Sequence, residues 1–176
     1  DFENRDDVTI AEYLKMIEYK TAVLVAAAMK MGAIIAETSE ENANLIYEFG
    51  LNLGIAFQLQ DDYLDAFGVV ETFGKQIGGV IIENKKTYLY LKTIEFSNAG
   101  EAEQLLHLYS IQPDDNTDKI NAVKEIFTAS GGSDANRVAI QDYTLKAFET
   151  LEKINISEEN KTILRTFGEN LMGRKV

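Results

Sequence analysis

There is no cysteine in this chain, no tryptophan, one proline and one histidine. A chain without cysteine has neither a disulfide framework nor a thiolate metal site, and it suits a cytoplasmic protein. A single proline argues against a loop-rich or all-β architecture. His107 reads as a surface residue on a short helix rather than a metal ligand or base. Positive charge is also scarce: 17 lysines and arginines stand against 29 aspartates and glutamates, a formal net charge of −12. That excludes a non-specific nucleic-acid binder, which needs basic surface to displace counterions. A membrane span needs about 20 consecutive apolar residues. The longest run here, Ala22 to Met29, ends at Lys30, so no transmembrane segment is expected. The polar, acidic start from Asp1 to Asp7 lacks the basic and apolar regions of a signal peptide.

What is present is helical patterning. No stretch sustains a period-2 alternation, so the fold class is all-α, and 176 residues suit one domain. Thr9 and Glu12 form a capping box that opens one long helix from Ile10 to Glu37. Its middle, Thr21 to Ala36, is apolar nearly all round, the mark of a central helix. Thr38 and Glu41 form a second box, and the next helix runs from Glu40 to Phe67, closed by Gly68 at C′. Gly50 and Gly54 lie inside it; each costs up to about 1 kcal/mol relative to alanine. Such glycines predict the close approach of another backbone or a ligand. Residues 68–82 are glycine-rich and irregular. A helix is expected to restart near Glu83 or Asn84, opened by Lys85 and Lys86, and to run to about Ser97; a short one follows, ending near Tyr109. Three amphipathic helices close the chain, the second capped by Ser133 and the last opened by Ser157.

One stretch carries more chemistry than the rest: Phe57-Gln58-Leu59-Gln60-Asp61-Asp62-Tyr63-Leu64-Asp65. On a helix, Asp61 and Asp65 share a face, with Asp62 beside them and Gln58 one turn earlier. An isolated acidic run is most often a solvated helix face. Here Ile55, Ala56, Phe57, Leu59, Tyr63, Leu64 and Phe67 surround the carboxylates with apolar side chains. Burying carboxylates without partners is costly, and a hard divalent cation such as magnesium, which takes one or two carboxylates plus phosphate oxygens, answers that cost. Lys75 follows in the glycine loop, Lys85 and Lys86 come after it, and Lys20-Thr21 interrupts the apolar run of the first helix. Taken singly, each lysine reads as an ordinary surface residue near Glu71 or Glu83. Taken together, carboxylates, glycine loop and lysines fit a metal–diphosphate site.

In order and spacing these pieces resemble the second half of a trans-isoprenyl diphosphate synthase, the family of farnesyl, geranylgeranyl and longer polyprenyl diphosphate synthases. Phe57-Gln58-x-x-Asp61-Asp62-x-x-Asp65 is similar to its second aspartate-rich motif. Gly74-Lys75-Gln76-Ile77-Gly78-Gly79, Asn84-Lys85-Lys86-Thr87, the Lys20-Thr21 pair and the closing Leu171-Met172-Gly173-Arg174-Lys175 fall where the family has like segments. The resemblance covers essentially the whole chain.

It implies the C-terminal part of an all-α isoprenoid synthase helical bundle, usually a homodimer. It implies a prenyltransferase that uses Mg2+ to ionise an allylic diphosphate, which then condenses with isopentenyl diphosphate. Asp61 and Asp65 would hold magnesium with Asp62 supporting, and Lys20 and Asp61 would be catalytic. Lys20, Thr21, Gln58, Lys75 and Lys85 would contact the allylic diphosphate or its surroundings, and Phe57 would pack near the isopentenyl diphosphate. Phe57, Tyr63 and the apolar face of residues 22–36 could wall off the cation from water, though plain core packing explains most of them. Two features depart from the family. Its Gly-Gly-Asp is here Gly78-Gly79-Val80, and its first aspartate-rich motif has no counterpart. The chain is therefore expected to be a C-terminal piece with an uncovered apolar face that pairs with a second copy or a partner chain. A non-catalytic regulatory or diphosphate-binding homologue, favoured by Val80, and a terpene cyclase, disfavoured by the lysines, are the other readings.

Overall fold

A computed structural model of the chain describes Arg5, residues 7–68 and residues 77–173. Among these residues every regular element is a helix. In order they are α1 (Ile10–Ile17), a π-helical turn (Glu18–Ala22), α2 (Val23–Ile35), α3 (Glu40–Phe67), a one-turn α4 (Gly79–Ile82), α5 (Tyr88–Phe96), α6 (Ala99–Leu108), α7 (Thr117–Ala129), α8 (Gly132–Lys153) and α9 (Glu158–Met172). No described helix is long and apolar enough to cross a membrane.

The local signals act largely as the sequence predicts, with some corrections. Glu12 accepts from the Thr9 backbone N–H and hydroxyl, both at 2.9 Å, while the Glu12 N–H donates to Thr9 Oγ1 at 3.2 Å, completing the first capping box. At the start of α3 the cap is Ser39 rather than Thr38: its hydroxyl accepts from Asn42 N–H at 3.2 Å, and Thr38 Oγ1 instead accepts from the Asn42 side chain. Gly68 does not adopt the left-handed conformation expected of a C′ glycine; the positive-φ glycines among the described residues are Gly78 and Gly131. Lys85 and Lys86 do not open a helix. α5 starts at Tyr88 because Thr87 is extended and its hydroxyl accepts from Tyr90 N–H, so the lysines stand in the turn before it. Ser133 lies inside α8, and Ser130 accepts from the Gly132 N–H instead.

The contacts divide the described chain into two compact units. One comprises the residues up to Tyr13 with Asp61–Val138; the other comprises Leu14–Gln60 with the residues from Ala139 on. In the first, Ala66, Val80, Ile81, Leu89, Tyr90, Leu105, Val123, Ile126 and Phe127 form one buried cluster. α7 is its hub, in contact with α4, α5 and α6. Gly131, with φ of 84°, makes the turn after α7. At Gly132 a Cβ would lie 3.0 Å from the Thr93 backbone, so only glycine fits this crossing.

In the second unit Phe49, Leu53, Ala147, Leu151 and Ile154 form the core, with Phe148, Leu164 and Met172 against it. Here the two glycines of α3 show their purpose. A Cβ on Gly50 would come within 2.9 Å of Ala26 Cα, and one on Gly54 within 2.6 Å of Ala22 Cα. The helices meet backbone to backbone through small residues on both sides. Within this chain α2 is buried on one face only, which leaves the uncovered apolar face that the sequence leads one to expect. Ala22, Ala26 and Ala33 are buried, but Leu24 is 72% exposed and Ile35 82%, with Met31 and Ile34 also exposed. Small residues face the partner helix and large apolar ones face out.

Two predictions follow from these contacts. Gly54→Ala forces apart two backbones that cannot yield, so urea denaturation should show about 1–3 kcal/mol of lost stability; an unchanged midpoint would remove the close-contact account. Glu12 has its pKa lowered below its ordinary 4.5, first by the Thr9 N–H, then by the Thr9 hydroxyl and Arg5. A depressed carboxylate contributes stability that is complete above 4.5 and is lost as pH falls through the lower folded value. Glu12→Gln should therefore flatten the fall of melting temperature with acidification below that pH.

Candidate functional site

The aspartate stretch occupies the last two turns of α3, and each carboxylate has a different setting. Asp65 is half-buried. Its Oδ1 accepts from the Val80 N–H at 2.7 Å, and its backbone carbonyl accepts from the Gly78 N–H at 2.6 Å. One residue thus anchors both ends of the Gly78–Val80 turn. Gly78 takes φ of 87°, and a Cβ on Gly79 would meet Asp65 Oδ2 at 2.9 Å. Burial pushes the Asp65 carboxyl pKa up, against the Val80 N–H and Lys85, which pull it down. Asp62 accepts from the Tyr13 hydroxyl at 2.5 Å. Tyr13 is 1% exposed and also packs against Tyr88, ring centroids 6.3 Å apart. Burial first, then the Asp62 charge, pushes the phenol pKa well up, so Tyr13 remains a proton donor. Asp61 is partly exposed on the same turn.

Lys85 stands in the turn before α5, about half exposed, with Nζ 2.5 Å from Glu83 Oε2. That contact leads the causes that raise its pKa, and the charges of Asp62 and Asp65 add to it. Lys86 donates to the Arg5 carbonyl. Val80 has its side chain in the buried cluster; its N–H donates to Asp65 Oδ1 and its carbonyl accepts from the Lys85 N–H at 2.8 Å. Lys75 lies outside the described residues.

Thr21, Gln58, Phe57 and Lys20 belong to the other unit. The Thr21 hydroxyl donates to Gln58 Oε1 at 3.1 Å, joining two predicted residues 37 positions apart. Lys20 and Thr21 sit in the π-helical turn, Lys20 exposed. A single π turn inside an α-helix often marks a functional position, because the extra residue re-aims side chains. Phe57 and Gln58 are partly buried.

Among the described residues no group of three or more carboxylate or imidazole side chains converges as a metal cage. Asp65 serves the Gly78–Val80 turn and Asp62 holds the Tyr13 hydroxyl. The surface suits a cation shared between one or two carboxylates and the oxygens of an anionic ligand. The sequence reading missed Tyr13: it falls on the apolar stripe with Ile17 and looks like core, and nothing local links it to a carboxylate 49 residues on. Tyr13→Phe removes a hydrogen bond to a charged acceptor. It should lower unfolding free energy by about 1.5–3 kcal/mol in urea titrations; wild-type stability would show that the contact contributes nothing.

Against known proteins, residues 1–127 match the Polyprenyl synthetase family. The geranylfarnesyl diphosphate synthase of Natronomonas pharaonis is 35% identical over 164 residues, covering 93% of this chain and 46% of that protein. A crystal structure of a geranylgeranyl pyrophosphate synthase superposes with a TM-score of 0.92 at 51% identity, over 100% of this chain and 55% of the other. A polyprenyl synthase from Caulobacter crescentus, complexed with calcium and isoprenyl diphosphate, gives 0.86 at 30% identity, over 99% and 53%. The chain spans about half the length of the relatives it matches. With the motif order, the all-helical isoprenoid synthase fold and these likenesses in agreement, the chain belongs to the polyprenyl synthetase family.

Proposed function

We propose that the protein carrying this chain is a prenyltransferase that joins an allylic diphosphate to isopentenyl diphosphate, and that this chain supplies diphosphate-binding groups. The observation that carries the reading is the Gly78–Lys85 segment after α3, which Asp65 Oδ1 ties down through the Val80 N–H at 2.7 Å and which ends in the half-exposed Lys85 ammonium. A diphosphate is recognised by a mixed surface, lysine meeting phosphate oxygens directly and carboxylates reaching them through a cation. The family and its named relatives support it.

The barrier to the reaction is charge separation. The allylic C–O bond breaks and the diphosphate leaves with the electron pair. The isopentenyl double bond then attacks the allylic cation to form the new C–C bond, and loss of a proton completes the longer prenyl diphosphate. Asp61, supported by Asp62, would hold magnesium, which when bound lowers the cost of the departing negative charge. Lys85 and Lys75 stabilise the leaving diphosphate directly, and Lys20, Thr21 and Gln58 bind at its surroundings. Asp65 acts through the turn it anchors. Phe57 packs near the isopentenyl diphosphate. We further propose a homodimer, which the exposed Leu24, Met31, Ile34 and Ile35 support by requiring a cover.

The test uses the full-length gene product with labelled isopentenyl diphosphate and an allylic starter in magnesium. Elongated product is expected. Asp61→Ala should lower turnover by about 100-fold or more, the usual loss for an electrostatic stabiliser of the leaving group, with the circular dichroism spectrum unchanged. No elongation by the wild type rejects the activity, and wild-type turnover by Asp61→Ala rejects the role.

A further inference from the structure

Lys119 occupies an unusual position. It is on α7, 3% exposed, in the same unit as the aspartates. Its ammonium donates to two neutral acceptors, Asn84 Oδ1 at 2.6 Å and the Ile111 carbonyl at 2.8 Å. A buried ammonium held by neutral groups costs stability that a methionine of similar length would not. Burial accordingly pulls the Lys119 pKa down. Packing alone does not call for a lysine here.

What it grips explains it. Asn84 has φ of 52°, a left-handed conformation that L residues rarely hold. It is the pivot of the turn between α4 and α5: Asn84 N–H donates to Ile81 O at 3.1 Å, Lys85 N–H to Val80 O at 2.8 Å, and Thr87 N–H to Lys85 O at 2.9 Å. Lys85 stands in that turn about half exposed, with Nζ 2.5 Å from Glu83 Oε2. The turn is tied at one end by Asp65 through Val80 and in the middle by Lys119 through Asn84.

We propose that Lys119 is a positioning residue, clamping the strained Asn84 turn so that the Lys85 ammonium is held ready for a diphosphate group. This rests on the diphosphate reading above. Lys119 does not touch the ligand; it removes the disorder that Lys85 would otherwise lose on binding.

The experiment is isothermal titration of the full-length protein with inorganic pyrophosphate in magnesium. Lys119→Met should weaken pyrophosphate about tenfold, the scale of one charged hydrogen bond. In a Lys85→Ala background the same substitution should change nothing, because the group it positions is gone. Asn84→Gly keeps the left-handed turn accessible but removes the acceptor. It should reproduce the loss alone and add nothing to Lys119→Met. A folded Lys119→Met protein with wild-type affinity overturns the inference, as does an equal loss with and without Lys85. Should Lys119→Met fail to fold, Asn84→Gly with and without Lys85→Ala decides on the same terms. A wild type that binds no pyrophosphate removes the diphosphate reading and the inference with it; a wild type that binds while the variants are unaffected removes the inference alone.

Discussion

A half-buried carboxylate must keep water or find a donor, and much of the structure around the end of α3 follows from how Asp62 and Asp65 meet that demand. Asp65 takes the Val80 N–H, which fixes the start of α4; its backbone takes the Gly78 N–H, which fixes the turn before it. Asp62 takes the Tyr13 hydroxyl, which ties α1 to α3 within the same unit. Neither donor carries a charge: one is a backbone N–H and the other a phenol.

The turn that bears Lys85 shows the same logic in reverse. Lys85 is a charged group of that turn and is about half exposed. Its ion pair with Glu83 and the backbone bonds of the Asn84 turn hold it at the surface. Val80 belongs to this frame: its N–H does the anchoring and its side chain joins Ile81 and Leu89 in the core.

Elsewhere the architecture depends on how closely helices approach. The glycines of α3 and alanines of α2 bring two backbones together, and the large side chains of α2 are turned outward as a result. Within this chain the buried face of α2 is the one whose small residues let the two backbones touch. Hydropathy alone cannot separate the two faces, since leucine on the exposed face and alanine on the buried face both read as apolar.

The sequence by itself determined the all-α class, the span of α3, the capping box at Thr9 and the close approach at Gly50 and Gly54, because each rests on periodicity or backbone freedom within a few residues. It also marked Asp61, Asp62, Asp65, Thr21, Gln58 and Lys85 through a motif order similar to a known family. It misplaced the start of α5, the cap of α3 and the conformation of Gly68 by small margins, because neighbouring residues such as Ser39 and Thr38 compete for the same role and only packing selects one. Tyr13 on Asp62, Asp65 on Val80 and Lys119 on Asn84 were decided by tertiary structure alone. These pairs join residues 15 to 49 positions apart. A tyrosine on an apolar stripe or a lysine on a helix discloses nothing of its partner until the chain has folded and solvent can no longer satisfy it.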